Sequence, residues 1–300
     1  MVLESIMSPE KAEKKPWDMI FIGFLYASVA MFLSVWVFKE EASLVMVLLT
    51  VIASIPLIFN TIQLEEKKDL EIEREWTLLK EHSKALSFFV CLFFGFVLAY
   101  TVWFVFLPDT IVQATFETQL STIKAINTQI TGGSSFVNSA NVFGGSIDAA
   151  ATSSGSLLYR IVANNLKVLL FCVFFSFFYG AGAIFILTWN ASVISAAVGT
   201  FIRNNIGSYA TAIGLTKVGG YFHIFSLGLL RYSLHGIPEI LAYFIGGLAG
   251  GIISIAVIKH DFGTKDFKRI LTDSIDLMVL AVAVIFIAGV LEVYVTPLFF

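Results

Sequence analysis

Apolar runs of about 20 residues recur along this 300-residue chain, and they constrain its fold more than any other feature. A helix needs about 20 apolar residues to cross the hydrocarbon core of a bilayer. Hydrophobic residues make up 57% of the sequence and charged residues only 14%, so the chain lacks the charged surface that a soluble protein of this size would need. We therefore predict an all-α, polytopic integral membrane bundle.

Six of these runs predict complete membrane spans, and a seventh region predicts an interrupted one. The six spans are expected at residues 17–38, 43–63, 85–107, 164–189, 234–258 and 275–296. Residues 190–233 hold two shorter apolar pieces, 191–202 and 218–230, which are separated by the polar stretch RNNIGSYATAIGLTK. Interruptions of this kind are typical of broken or re-entrant helices. We expect region 190–233 to make one broken crossing.

The positions of lysine and arginine predict the orientation of the chain. Three clusters hold most of the cations: Lys11, Lys14 and Lys15; Lys67, Lys68, Arg74, Lys80 and Lys84; and Lys259, Lys265, Lys268 and Arg269. All three can lie in the cytoplasm, as the positive-inside rule requires, only if region 190–233 crosses once. We expect a plasma-membrane protein with a cytoplasmic N-terminus and an extracytoplasmic C-terminus. The net charge of −3 gives no indication of a nucleic-acid partner.

This topology divides the chain into four parts. They are a cytoplasmic tail (1–16), a three-span region (17–107), an extracytoplasmic loop (108–160) and a membrane core (161–300). Within the three-span region, residues 64–84 are densely charged and helix-forming, with glutamates and cations at helical spacing. We expect them to form a cytoplasmic hairpin, which either extends the second and third spans or serves as a docking surface for a partner.

The extracytoplasmic loop has a patterned half and a glycine-rich half. The apolar residues of the first half approximate one helical stripe: Ile111, Phe116, Leu120, Ile123 and Ile130. This stripe predicts an amphipathic helix that lies on the outer membrane surface or packs on a partner. The second half is rich in glycine, serine, asparagine and alanine, a composition typical of flexible segments. It is either a tether or a partner-binding segment.

A histidine and a glutamate near the start of the fifth span are the most unusual residues of the membrane region. An ionised side chain at the bilayer centre costs about 2.5–3.5 kcal/mol on insertion scales, so Glu239 should face protein or water. His235 and Glu239 are four residues apart and share a helix face. Pro238 fits best in a first turn, which predicts a helix start near Gly236. The pair is a structural contact, a site for protons, substrate or a partner, or part of a metal site.

Asparagines and glycines mark the remaining candidate positions. The helix-packing candidates, which let two helices approach closely, are Gly180, Gly182, Gly246, Gly247, Gly250 and Gly251. We expect Asn164 or Asn165 to cap the start of the fourth span and Asn190 to serve the turn that follows it. Arg231 is a candidate polar residue of the broken region, next to the face that carries His235 and Glu239.

Catalytic and cofactor motifs are missing from the sequence. It contains no zincin H-E-x-x-H, no G-x-S-x-G, no P-loop and no dinucleotide fingerprint. The other histidines, His82, His223 and His260, show no metal-ligand spacing with His235. We expect a protein that is not an enzyme and that has no cofactor and no metal site.

The order of several of these residues resembles the stage II sporulation protein M family. The resemblance rests on an asparagine pair that opens a span, Gly180 and Gly182 within it, Asn190 at its end, and a later His235-Gly236-x-x-Glu239 that leads a glycine-rich span. It covers about residues 160–260. Leu234 departs from the family pattern, in which proline often precedes the His-Gly pair. The resemblance implies a polytopic protein that recruits other proteins, as the sporulation members recruit cell-wall hydrolases.

Two functions follow as hypotheses. The first is a non-enzymatic membrane scaffold that binds partner proteins through loop 108–160 or hairpin 64–84, and deletion of 109–156 is then expected to abolish binding while leaving the fold intact. The second is a transporter or channel that uses region 190–233 and the His235/Glu239 face. An intramembrane hydrolase is a weaker third. The expected binding partners are membrane lipid, other proteins and a second copy of the chain.

Overall fold

The described part of the structure is a bundle of long helices. The computed structural model describes residues 13–72, 74–130, 154–179, 182–206, 215–259 and 263–299. Its helices are α1 (Asp18–Val37), α2 (Ala42–Glu71), α3 (Glu75–Phe106), α4 (Asp109–Ile130), α5 (Ser154–Tyr179), α6 (Ala183–Ile206), α7 (Leu215–Lys259) and α8 (Lys265–Val290). A π-helical turn (Leu291–Val295) and the short α9 (Thr296–Phe299) follow α8.

Seven of the described helices are long and apolar enough to cross a membrane. The stretches are Asp18–Val37, Ala42–Glu71, Trp76–Phe106, Leu157–Phe178, Ala183–Asn204, Gly236–Lys259 and Lys265–Leu298. The predicted all-α polytopic membrane bundle is therefore confirmed. Large side chains fill its interior, and Tyr100, Phe88 and Phe96 are completely buried.

The broken crossing predicted over residues 190–233 is wrong in its form. α6 is one continuous helix, Ala183–Ile206, and α7 is another, which joins the piece 218–230 to the fifth apolar run. The run 164–189 is shared instead between α5 and α6, because α5 ends at Tyr179 and α6 begins at Ala183.

Two further expectations about α7 and α5 are corrected by the same boundaries. Pro238 lies inside α7 and not in a first turn, since neighbouring helices can cover the backbone that a proline leaves unpaired. Gly182 packs against the carbonyl oxygen of Phe175, so it belongs to the tight return between α5 and α6 and not to mid-span packing. Gly180 lies outside the described residues.

The amphipathic helix predicted in loop 108–160 is present as α4, but it packs on the bundle itself. Phe116 and Gln119 are completely buried. The Gln119 amide donates a hydrogen bond to the Ser192 hydroxyl of α6 (3.1 Å) and accepts one from Ser43 of α2 (2.7 Å). A stripe that faces two helices of its own chain is unavailable for an outer membrane surface. Deletion of 109–156 would therefore remove core contacts and would not leave the fold intact.

α5 and α7 approach closely along the predicted glycine strip. A Cβ atom on Gly250 would lie 2.5 Å from the carbonyl oxygen of Val173 in α5, and one on Gly247 would lie 2.7 Å from the Cβ of Ala183 at the start of α6. Gly246 faces the Leu169 side chain of α5 in the same way, and Gly251 is buried. The strip brings α5 within backbone contact of α7.

Replacing Gly250 with alanine should destabilise the protein by about 1–3 kcal/mol, because the added methyl group would overlap a backbone atom that cannot move freely. Gly236→Ala is the matched control in the same helix, since its Cβ would meet nothing within 4 Å. There the better helix propensity of alanine should leave stability unchanged or raise it by about 0.5–1 kcal/mol. Thermal unfolding in detergent measures both, and equal stability of the two variants would contradict the packing described.

Candidate functional site

Two exposed tryptophans on α1 mark the limits of the apolar slab. Trp17 is 76% exposed and Trp36 is 77% exposed. At a rise of about 1.5 Å per residue, the helix between them is roughly 28 Å long, close to the roughly 30 Å thickness of a bilayer's hydrocarbon core. Tryptophan is enriched at the two membrane–water interfaces, so the positions of Trp17 and Trp36 fit the two faces of one bilayer.

α2 and α3 continue well past the level of Trp17. Gly23 of α1 packs against residues 92–95 of α3, and Ser28 accepts a hydrogen bond from the Trp103 indole further along, so the two helices run parallel. Trp17 is therefore level with about residues 86–89 of α3. Because α3 begins at Glu75, its first turns extend about 15 Å beyond the level of Trp17.

Three charged segments of the sequence meet at this end of the bundle. The Lys68 ammonium lies 2.7 Å from a Glu13 carboxylate oxygen, and the Lys259 ammonium lies 2.9 Å from Glu66. Arg269 of α8 donates a hydrogen bond to the carbonyl oxygen of Ile72. We call residues 13–16, 64–84, 259 and 265–276 the charged platform. It joins the N-terminal segment, the α2–α3 hairpin and the start of α8 into one unit.

A buried imidazole occupies the centre of the charged platform. His82 of α3 is 2% exposed and lies between two carboxylates of α2, Glu65 and Asp69, which are both fully buried. Its Nδ1 is 2.7 Å from a Glu65 oxygen and its Nε2 is 3.0 Å from an Asp69 oxygen. A neutral imidazole would turn a lone pair towards one of these carboxylates. Two carboxylates beside the two ring nitrogens favour the doubly protonated imidazolium.

The two carboxylates that face His82 are not equally satisfied. Glu65 also accepts a hydrogen bond from Lys68 at 2.5 Å. Among the described residues neither Asp69 oxygen accepts a hydrogen bond, although the His82 Nε2 lies 3.0 Å from one of them. Asp69 is consequently held by charge alone, and loss of the His82 charge would leave it unpaired in the protein interior.

Glu13 extends the cluster into the N-terminal segment. Its burial raises the pKa of this carboxyl to about 7, although the hydrogen bond from Lys68 acts in the opposite direction. The negative charge of nearby Glu65 adds to the increase. Glu13 therefore gains or loses a proton near neutral pH, so the contact between the N-terminal segment and α2 depends on pH.

The platform consists of ion pairs that connect separate helices. Within the ranges that the structure describes, no group of three or more histidine, cysteine, aspartate or glutamate side chains is placed to hold a metal ion. Ion pairs connect α2 with α3, with α7 and with the N-terminal segment. These ion pairs fix the position of the α2–α3 hairpin. Outside the bilayer, apolar contacts with lipid are not available to fix it.

Glu239 finds a different partner from the one that its spacing with His235 suggested. One of its carboxylate oxygens accepts a hydrogen bond of 2.7 Å from the Tyr243 hydroxyl, one turn further along α7. A negative charge on Glu239 also repels one on Glu292, which lies in the π-helical turn after α8. The side chains of His235 and Arg231 lie outside the part of α7 that is described.

The asparagines do not lie at helix ends. α5 begins at Ser154, so Asn164 and Asn165 are in its interior, the first exposed and the second buried. Asn190 lies within α6 and is half-buried. The expected capping and turn roles are therefore wrong, because each helix begins about one to three turns earlier than the apolar runs indicated.

The dense charge of residues 64–84 hides the buried cluster in the sequence. A signal for it exists in the spacing. His82 shares a helical stripe with Leu78, Ala85 and Phe89, all of which are buried. On α2, Glu65 and Asp69 are likewise four residues apart and continue the face of buried Ile62. A histidine on an apolar stripe opposite two acids at helical spacing predicts a buried ion cluster.

Replacing His82 with glutamine should destabilise the protein by about 3–5 kcal/mol, because it leaves two buried carboxylates without their shared cation. Adding Asp69→Asn to this variant should recover part of the loss. Lys84→Gln is the control, since it breaks a largely exposed ion pair with Glu81 on the same hairpin and should cost at most about 1 kcal/mol. Denaturation in detergent measures all three, and equal effects of His82→Gln and Lys84→Gln would exclude the buried cluster.

Glu13 should make stability depend on pH in a predictable direction. A folded-state pKa of about 7, above the unfolded value of 4.5, means that its stabilising contribution is complete below pH 4.5 and is lost as the pH rises through 7. Glu13→Gln removes this loss, so the variant should gain stability relative to the parent between pH 5 and 8. Thermal melts across that range test it, and a difference that does not change with pH would contradict the assignment.

Comparison with known proteins places the chain in a family. The family model described as stage II sporulation protein M matches residues 85–297, which includes most of α3 and all of α4 to α8 and extends well beyond the 160–260 of the resemblance. The match begins after the first two helices and the hairpin 64–84. No curated protein and no solved structure matches the sequence. Since the match covers more than half of its length, the chain belongs to the stage II sporulation protein M family.

Proposed function

We propose that this chain is a non-enzymatic membrane scaffold whose charged platform lies in the cytoplasm and binds a partner protein. The observation that carries the proposal is a hairpin that buried ions hold beyond the apolar slab, with Trp76 79% exposed near its tip. Tryptophan is enriched among the residues that contribute most of the binding energy at protein interfaces, and an exposed tryptophan on a fixed support suits such an interface.

The distribution of cations supports the cytoplasmic location. The three lysine- and arginine-rich clusters of the sequence converge on the platform end of the bundle. Cytoplasmic segments next to membrane spans carry an excess of these residues. With seven crossings, the proposed orientation has the C-terminus on the extracytoplasmic side.

Rigidity of the hairpin supports recruitment over a simple helical extension. Ordering a loop or a side chain on binding costs about 0.5–1.5 kcal/mol for each flexible side chain. The contacts of His82 with Glu65 and Asp69 fix α3 against α2 before any partner arrives. A surface that is already ordered binds a partner without this cost.

Partner binding on the opposite side of the bundle stays a prediction. α4 faces the bundle through Phe116 and Gln119, which leaves Gln113 and Glu117 on its exposed face. The remainder of the expected partner-binding loop falls on residues 131–153, which lie outside the described residues. The platform is therefore the better-supported recruiting surface.

Transport is a second candidate, with a narrower basis than the sequence suggested. Its argument from broken helices no longer holds, because α6 and α7 are continuous. The Glu239–Tyr243 contact and the neighbouring Glu292 remain in its favour, since carboxyl groups within membrane spans often mark ion pathways. Solute flux into proteoliposomes that falls on Glu239→Gln would favour this function over the scaffold.

A photo-reactive amino acid at position 79 of the full chain should form protein adducts in native membranes, because this position lies one turn from Trp76 on the exposed face of α3. Trp76→Ala should abolish the adducts by removing the anchor of the interface. Trp36→Ala is the matched control, an equally exposed tryptophan at the other end of the bundle. Gel shifts and mass spectrometry read out the adducts; crosslinks to lipid alone, or adducts that persist in Trp76→Ala, would overturn the proposal.

A further inference from the structure

We propose that the partner of the charged platform is an acidic, amphipathic protein segment that binds the exposed face of α3 through Trp76, Leu79 and Lys80. This inference rests on the scaffold function and specifies its partner. It follows from the way in which the fold separates the charges of the hairpin.

The hairpin is acidic in sequence, but the exposed side chains of the platform that the structure describes are mainly cationic. Residues 65–84 contain seven acids and five lysines or arginines. Glu65, Glu66 and Asp69 are fully buried. Among the platform side chains that the structure describes, the exposed cations are Lys14, Lys15, Lys67, Arg74, Lys80, Lys84, Lys259, Lys265 and Lys268, whereas the exposed acids are Glu71, Asp266 and Asp276. Glu73 and the side chain of Glu75 lie outside the described residues, and the described exposed charges of the platform are mostly those of lysines.

The exposed face of α3 combines an apolar anchor with these cations. Trp76, Leu79, Lys80 and Ser83 recur at helical spacing and are all exposed. Trp76 is 79% exposed and Leu79 is 38% exposed. A face with two apolar side chains beside a lysine complements a segment that presents apolar residues next to aspartate or glutamate.

Lipid headgroups do not reach this face. The headgroup region adds about 5–8 Å to each side of the hydrocarbon core. Trp76 lies about 15 Å beyond the level of Trp17 along α3. An anionic membrane could contact the lysines nearest the bilayer but not Trp76 and Leu79, so the geometry favours a protein over a lipid surface.

A second copy of the chain is also a poor occupant. A two-fold symmetric contact would place the same patch of both copies face to face. Lys80 and its neighbours would then oppose like charges, which is unfavourable for association. The hairpin also lies before residues 85–297, so the family match does not include this surface.

The test uses the full chain in lipid nanodiscs and two labelled synthetic helical peptides. One carries leucine and phenylalanine on one face and glutamate on the other, and the second has lysine in place of every glutamate. Fluorescence anisotropy should show binding of the acidic peptide only. Its affinity should fall at least about tenfold for Trp76→Ala and for Lys80→Glu, and it should weaken as salt rises from about 0.05 M to about 0.5 M.

Matched controls lie at the other end of the bundle. Trp36→Ala and Lys39→Glu change an exposed tryptophan and an exposed lysine there and should leave binding unchanged. Binding of both peptides alike, or insensitivity to Lys80→Glu, would overturn the acidic-partner inference. So would tryptophan quenching by brominated phosphatidylglycerol in the nanodisc that is lost in Trp76→Ala, which would show lipid on this face.

The outcomes separate this inference from the scaffold proposal. If adducts at position 79 in native membranes depend on Trp76 but are unchanged by Lys80→Glu, the scaffold stands and the acidic partner is refuted. If adducts at position 79 depend on neither residue, both proposals fail.

Discussion

The charged platform depends on one buried imidazolium. His82 links Glu65 and Asp69 across the α2–α3 hairpin. This part of the hairpin lies outside the apolar slab, where lipid does not exclude water. A buried ion pair rarely adds much net stability over an apolar contact, but breaking one is costly. The cluster therefore adds little net stability, but it favours one arrangement of the hairpin over the others. Lys68 and Lys259 extend the same constraint to the N-terminal segment and to α7.

The membrane part of the molecule is held together on a different principle. Apolar side chains gain little by leaving lipid for protein, so the helices associate by close packing. Gly23 and Gly95 bring α1 against α3, and Gly250 brings α5 against α7. Polar contacts such as Gln119 with Ser192 then fix α4 on the bundle. The protein thus combines a tightly packed membrane core with a platform positioned by charge.

Sequence patterns predicted the parts of this structure that depend on local hydrophobicity. Apolar length was enough for an all-α bundle, and the stripe in residues 109–130 was enough for an amphipathic helix. Boundaries were less accessible, because the run 164–189 is uniformly apolar and only the return at Gly182 divides it. The burial of Glu65, Asp69 and His82 depends on which helices lie side by side. Their spacing carries the signal, but a dense run of charges hides it. The family match supports the membrane core and leaves the hairpin to physical argument.

The protonation state of His82 is the most direct test of this account. In solid-state NMR of histidine-labelled protein in bilayers, with His82 assigned by comparison with a His82→Gln sample, both ring nitrogens should have the ¹⁵N shifts of protonated N–H groups at pH 7.5. This result would show the imidazolium that holds the hairpin between two carboxylates. A ring nitrogen with the shift of an unprotonated atom would contradict the account, because a neutral ring cannot hold Glu65 and Asp69 together.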